Sequence, residues 1–252
     1  MMLINPRRFF GAAVLLLLLI ISVPGAGNAQ QHFEGQLRYE LTDLNDGSKQ
    51  EMAMLVKENR LRFLGSLENY AEMSMLSSGL TLRADQNDML LFSENKKVVV
   101  LNMRELGGFL NQMMGSAEQN TDSEVPETTL EQGADTRDFQ GMTARQYILS
   151  SVENPDDEIH IWASDELYID WETLMNPLTE LTQTMDMDFS ISGMNWPMDL
   201  TPLYAEFYRS GELDSRLEMT EFEARSFKNN ELDIPEGYQQ ISLFELMMQQ
   251  EN

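Results

Sequence analysis

The sequence predicts an α+β protein: an antiparallel sheet of roughly eight to eleven strands with two to four short helices on one side. Three observations lead there. Beyond residue 30, apolar and polar residues mostly alternate with a period of two, between Gly, Asn and Asp turn signals. Two stretches switch to helical spacing. The clearest run, Asp135–Leu167, reads as a meander of Thr136–Phe139, Thr143–Ser151 and Glu158–Ala163, broken at Gly141 and at Asn154-Pro155-Asp156-Asp157. Within it Tyr147 and Leu149 face away from Gln146 and Ile148, and Ile159 and Ile161 away from His160 and Trp162.

The chain opens with Arg7 and Arg8, an apolar core over residues 9–23, then Pro24-Gly25 and the small residues Gly27-Asn28-Ala29. This predicts a signal peptide over residues 1–29, cleaved between Ala29 and Gln30. A retained anchor helix is the alternative, but the apolar run is short of the roughly 20 residues a span needs. No later run approaches that length, so no membrane span is expected after signal removal, and the chain is read as periplasmic or secreted.

Phe33–Thr42 is the cleanest strand, with Phe33, Gly35, Leu37, Tyr39 and Leu41 on one side. Asp43–Gly47 follows, too short by one residue for a calcium loop and read as a hairpin turn. Glu51–Lys57 and Asn59–Leu64 make the next pair, with Met52, Met54 and Val56, then Leu61 and Phe63, facing one way. Met89–Phe92 and Val98–Met103 flank an Asn95-Lys96-Lys97 turn. Val98–Leu101 is apolar on both sides, so that strand is central or covered on its second face. Glu105–Met114 has apolar residues at helical spacing, and the acidic, polar residues 116–134 read as a flexible connection inside a single domain, 30–252. Asp170–Met185 is helical but interrupted at Pro177, and Asp188–Thr201 is an irregular loop. Leu203–Arg209 and Arg216–Phe227 form the last long hairpin, turning at Ser210-Gly211-Glu212. Glu231–Gly237 crosses back extended, and Ile241–Gln249 closes the chain as a short helix.

Composition removes several function classes. The chain carries 42 Asp and Glu against 17 Lys and Arg, a net charge of −25, and loss of Arg7 and Arg8 makes it more negative. That field disfavours nucleic acid and anionic membrane surfaces. With no cysteine there is no lipid-anchor site, no disulfide and no thiol nucleophile. His32 and His160 are the only histidines, too few for a zinc site, and the serines lack a G-x-S-x-G elbow. Acid pairs such as Asp156/Asp157 and Glu221/Glu223 are what 42 acids produce by chance. The 19 methionines include pairs at strand spacing (Met52/Met54, Met73/Met75) and on a helix (Met113/Met114), without the ligand clusters a copper site needs. They read as core or an adaptable apolar lining. A non-enzymatic protein without cofactor or metal is expected.

Four short motifs carry a resemblance. They are Phe33-Glu34-Gly35-Gln36-Leu37-Arg38-Tyr39; Gly141 with Ala144 and Gln146-Tyr147; Ile161-Trp162-Ala163-Ser164 with Leu167; and Leu232-Asp233-Ile234-Pro235-Glu236-Gly237-Tyr238. Together they resemble an uncharacterised exported bacterial family related to outer-membrane lipoprotein carrier and sorting proteins (LolA/LppX-like). The resemblance implies a strongly curved sheet, an open half-barrel with its helices on the concave side, around a cavity for a lipid or lipoprotein acyl chain. The lining would then be Leu37, Tyr39, Met52, Met54, Phe63, Tyr147, Ile161, Phe207 and Met219, with Glu105–Met114 as a lid. The acidic 116–134 stretch and the Met-rich 186–198 loop depart from those carriers. The alternative is an envelope protein-interaction or sensing module on the same scaffold, with a solid core.

Overall fold

A computed structural model describes residues 32–64, 79–93, 95–114, 128–152, 154–184, 196–197, 199–228, 230–242 and 245. The predicted signal peptide and its Ala29–Gln30 junction lie outside these residues, as do most of the Met-rich loop and residues 115–127 of the acidic stretch. Two meanders build the sheet. The first is β1 (Gly35–Asp43), β2 (Lys49–Lys57), β3 (Arg60–Leu64), β4 (Leu80–Arg83), β5 (Asp88–Ser93) and β6 (Lys97–Asn102). The second is β7 (Thr128–Phe139), β8 (Met142–Ser151), β9 (Glu158–Ser164), β10 (Thr201–Arg209) and β11 (Glu212–Ala224). Helix α1 (Met103–Met114) joins the meanders, α2 (Trp171–Thr184) lies between β9 and β10, and β12 (Gln239–Ile241) ends the sheet.

β1 pairs with β11, so the two meanders form one sheet, ordered β12-β6-β5-β4-β3-β2-β1-β11-β10-β9-β8-β7. All neighbours are antiparallel except β12, which runs parallel to β6. The sheet is curved and unclosed, the open half-barrel that was expected. Bulges at Arg38/Tyr39, Pro202/Tyr204 and Phe207/Tyr208 interrupt its centre, where an extra residue bends and twists a strand.

On the concave face Leu37, Tyr39 and Leu41 of β1 join Met54, Val56, Leu61, Leu82, Leu217 and Met219 in the main core. Each helix starts on a side-chain cap: Asn102 accepts from the Glu105 N–H (3.2 Å), and Asp170 from the Thr173 N–H (3.0 Å). Trp171, Leu174, Met175 and Leu178 form the i, i+3, i+4, i+7 stripe that α2 turns into this core. Leu106 of α1 packs with Val99, Leu101 and Met103.

The convex face is covered on one half by the chain after β11. Phe227 and Leu232 bury Leu55, while Ile234 and Tyr238 pack on Leu90, Phe92 and Val98. Val98 therefore lies under this strap while Val99 and Leu101 face the helices, which accounts for the doubly apolar run.

Several expectations need correction. The sheet has twelve strands among the described residues; four-residue β4 and three-residue β12 were not read. Residues 128–134 belong to β7 rather than to a flexible connection; β7 is an edge strand, exposed along most of its length, and so carries no apolar pattern. Helix α2 runs through Pro177, because its apolar stripe spans both sides of the proline and packing outweighs the roughly 3 kcal/mol a proline costs. Residues 231–237 turn at Glu231–Asp233 and again at Glu236–Gly237 without pairing to a strand, and ladder pairing begins only at Gln239. Ile241 belongs to β12 rather than to the predicted terminal helix; Glu245 is helical, and Ser242 Oγ accepts from the Glu245 N–H (3.1 Å) while the Glu245 carboxylate accepts from the Ser242 N–H (2.8 Å). The other residues of the predicted Ile241–Gln249 helix, apart from Ser242, lie outside the described residues. No described helix is long and apolar enough to cross a membrane.

Candidate functional site

All nine residues expected to line a cavity sit on the concave face, in or against the main core. Leu37 and Ile161 are 0% exposed, and Met219, Tyr39, Met54, Phe207 and Tyr147 range from 2% to 8%. Met52 and Phe63 are half-buried at the margin. Register explains the convergence: Leu37 opposes Met54, Tyr39 opposes both Met52 and Met219, Met54 opposes Phe63, and Tyr147 opposes Ile161. Tyr147 is also tilted against Trp196 at 5.3 Å between ring centres. Tyr39 donates to the Pro202 carbonyl (2.9 Å), and burial pushes its hydroxyl pKa up. The predicted lid, Glu105–Met114, is part of α1, which packs beside α2 over the β6 end of the sheet.

An open groove of about 500 Å³ lies at the β1 bulge. Tyr39, Met52, Ala53 and Leu64 line it together with the polar Arg38, Glu51, Thr220 and Glu221. Arg38 and Glu221 form an exposed ion pair there, 3.2 Å apart.

A third region, on the convex face of β7–β11, was missed in the sequence. β8 pairs with β9 only over Arg145–Ser150, so the tip of the β7–β8 hairpin projects beyond β9. It curls back across the sheet: the Arg137 guanidinium lies 3.8 Å above the Trp162 ring, Phe139 stacks on Tyr204 at 5.3 Å, and Gln140 donates to the Met219 carbonyl (2.8 Å). Asp135 accepts from both Trp162 Nε1 (3.2 Å) and Arg137 (2.8 Å). Burial would raise the Asp135 pKa; those two donors outweigh it and hold it below the usual range. Beside it Glu206 accepts from the hydroxyls of Tyr204 (3.1 Å) and Tyr208 (3.0 Å), and burial, then Glu206 itself, raises both tyrosines. His160 has both ring nitrogens engaged, by Gln146 (3.4 Å) and Glu158 (2.7 Å). The i, i+2 spacing of His160/Trp162 and Tyr204/Glu206/Tyr208 was the available signal, since it puts these groups on one face. Every polar group named here has a partner, which makes the cluster a fastener for the hairpin. Among the described residues no group of three or more His, Asp or Glu could hold a metal ion.

The turn loops at one end form a fourth feature. The β1–β2, β10–β11 and β8–β9 turns lie side by side there, and they carry Leu44, Leu213 and Val152, three of the four exposed large apolar side chains among the described residues.

No protein-family model and no curated protein matches the chain, so the carrier resemblance rests on its short motifs. Solved structures do match. PNGF-II in a C2 crystal aligns over 86% of this chain at 9% identity with a TM-score of 0.42; the match spans 32% of the PNGF-II chain. An uncharacterised conserved protein from Thermus thermophilus aligns over 92% of this chain and 99% of its own, at 8% identity and a TM-score of 0.42. MucB in complex with MucA(peri) aligns over 84% of this chain and 57% of its own, at 11% identity and a TM-score of 0.37.

Proposed function

We propose that this chain is an exported envelope protein that works as a protein-interaction module on a filled half-barrel. The observation that supports it is the state of the concave face. Seven of the nine side chains expected around a lipid are at most 8% exposed and belong to one core with Trp171, Leu174 and Met175 of α2 and with Trp196. An acyl chain entering there has to displace those packed side chains, and a close-packed interior resists this. The turns and polar faces remain as surface for a macromolecular partner.

Native mass spectrometry of the protein purified from its own envelope, followed by solvent extraction and titration with a fluorescent fatty acid, tests the reading. The expected result is a ligand-free mass and no saturable uptake. Co-purifying lipid, with uptake abolished by Met54→Lys and Phe63→Lys at intact fold, overturns it in favour of a carrier.

A further inference from the structure

The three hairpin turns at the shared end form one rigid platform. β1–β2, β10–β11 and β8–β9 are adjacent through the β1·β11 and β10·β9 pairings, and hydrogen bonds lock the turns together. The Leu44 N–H donates to the Asp214 carbonyl (2.9 Å) and Asn45 Nδ2 to the Asp214 carboxylate (2.9 Å). The Gly211 N–H donates to the Asp156 carbonyl (2.8 Å) and the Ser210 N–H to the Asp157 carboxylate (2.8 Å). On this platform Leu44 is 41% exposed, Leu213 37% and Val152 48%. Single exposed leucines are ordinary, but here Leu44 and Leu213 lie on neighbouring strands and Val152 three strands further along the same row of turns, so the three are spaced along one end of the sheet.

The charge around that surface is predominantly negative. Asp43 and Asp46 lie on the first turn, Glu212 and Asp214 flank the middle one, and Asp156 and Asp157 lie on the third. Two nearby cations are engaged, Lys49 with Glu40 (2.7 Å) and Arg209 with Asp214 (3.6 Å), and Arg216 lies one step further in on β11, opposite Thr42. A rigid end with apolar side chains spaced among carboxylates, on a chain of net charge −25, is complementary to a segment with apolar side chains flanked by Lys or Arg. The same charge repels an anionic lipid surface. We propose that the turn end, centred on Leu44, Leu213 and Val152, is the docking surface for a basic, amphipathic segment of a protein partner. This rests on the interaction-module reading and specifies where and with what chemistry it operates.

Two measurements test it. In the first, a synthetic Leu/Lys amphipathic peptide and its Ser/Lys counterpart are titrated against the intact protein by fluorescence anisotropy. The Leu/Lys peptide binds more tightly, binding weakens with salt, and the variant Leu44→Ser/Val152→Ser/Leu213→Ser loses about tenfold or more in affinity. Circular dichroism verifies that these surface changes leave the fold intact. Equal binding of both peptides, or full binding to the triple variant, means attraction to overall charge alone and overturns the surface. In the second, a photo-crosslinking side chain is placed at Leu44 or Leu213, with Thr220 as a control distant from the turns, and irradiated in the native envelope. Adducts at the turn positions whose crosslinked peptide is basic and apolar support the proposal. Protein adducts at Thr220 alone overturn this surface but leave the module reading standing. No protein adduct at any position overturns both.

Discussion

At the residue scale the most informative side chain is Trp162. It is 1% exposed although it faces the convex side of the sheet, where the alternation of β9 assigns a wet surface. What buries it is the curled hairpin tip, through Arg137 above the ring and Asp135 at Nε1. Trp162→Ala therefore removes a core aromatic and the anchor of the hairpin together, and should cost about 3–5 kcal/mol in a denaturant melt. Arg137→Ala leaves the indole in place but uncovers it, so its main readout is a red shift in tryptophan emission with a smaller loss of stability. A second decisive residue is Asp233, which bridges Arg60 (3.2 Å) and Arg83 (2.5 Å) and ties the C-terminal strap to β3 and β4. Burial alone would raise its pKa, but the Ile234 N–H, Arg60 and Arg83 together hold it below the usual 3.8. A depressed carboxylate contributes stability that is fully present above the unfolded value and is lost as pH falls through the folded one. Protection from hydrogen exchange in residues 232–241, measured relative to the intrinsic rate at each pH, should thus hold steady around neutral pH and fall only below about pH 4. Asp233→Asn should weaken the strap by about 1–2 kcal/mol at pH 7, discounted because a third of the side chain is exposed, and should remove part of the acid sensitivity.

At the element scale, the strands that were legible are those with one dry and one wet face. β1 is the clearest: buried Leu37, Tyr39 and Leu41 alternate with half-buried or exposed Gln36, Arg38 and Glu40. The hairpin turns were legible for a different reason. Gln140 and Gly141 have φ of 55° and 84°, and Ser210 and Gly211 of 51° and 78°, the left-handed pair that a two-residue hairpin demands. Gly141→Val should cost roughly 1–2 kcal/mol from the left-handed strain alone. It should also loosen the tip enough to change Trp162 emission, as Arg137→Ala does. What escaped the sequence was set by neighbours rather than by pattern. The first half of β7, residues 128–134, is mostly exposed and rich in polar residues, so it reads as a connection until β8 is seen pairing with it, whereas Thr136–Phe139 was legible as a strand. β4 and β12 are too short to show a period. The nine candidate lining residues come together in or against one core because period two sets the face within each strand and register aligns the strands. The curl of the β7–β8 tip over Trp162 depends on where pairing with β9 stops, and nothing local in the sequence encodes that.

At the scale of the whole molecule, charge and sheet geometry pull in opposite directions. A net charge of −25 spread over one open sheet repels itself, and that repulsion lowers the stability of the folded state. Against it stand a few paired cations, chiefly Arg60 and Arg83 with Asp85, Asp88 and Asp233. Screening weakens both, but not equally. The Arg83–Asp88 pair has side chains only 6% and 9% exposed and is shielded from salt, whereas most of the acids lie on wet surface. Raising ionic strength should therefore remove more repulsion than attraction. Thermal melts at neutral pH should shift upward by several degrees between about 10 mM and about 300 mM KCl, the range over which the Debye length falls from roughly 30 Å to below 8 Å. The same series at pH 4, where many surface carboxylates are neutralised, should show a smaller gain. A melting temperature that falls with salt at neutral pH would mean that the ion pairs along the strap outweigh the surface field. The Arg60–Asp233 and Arg83–Asp233 contacts would then be the principal determinants of stability on the convex side.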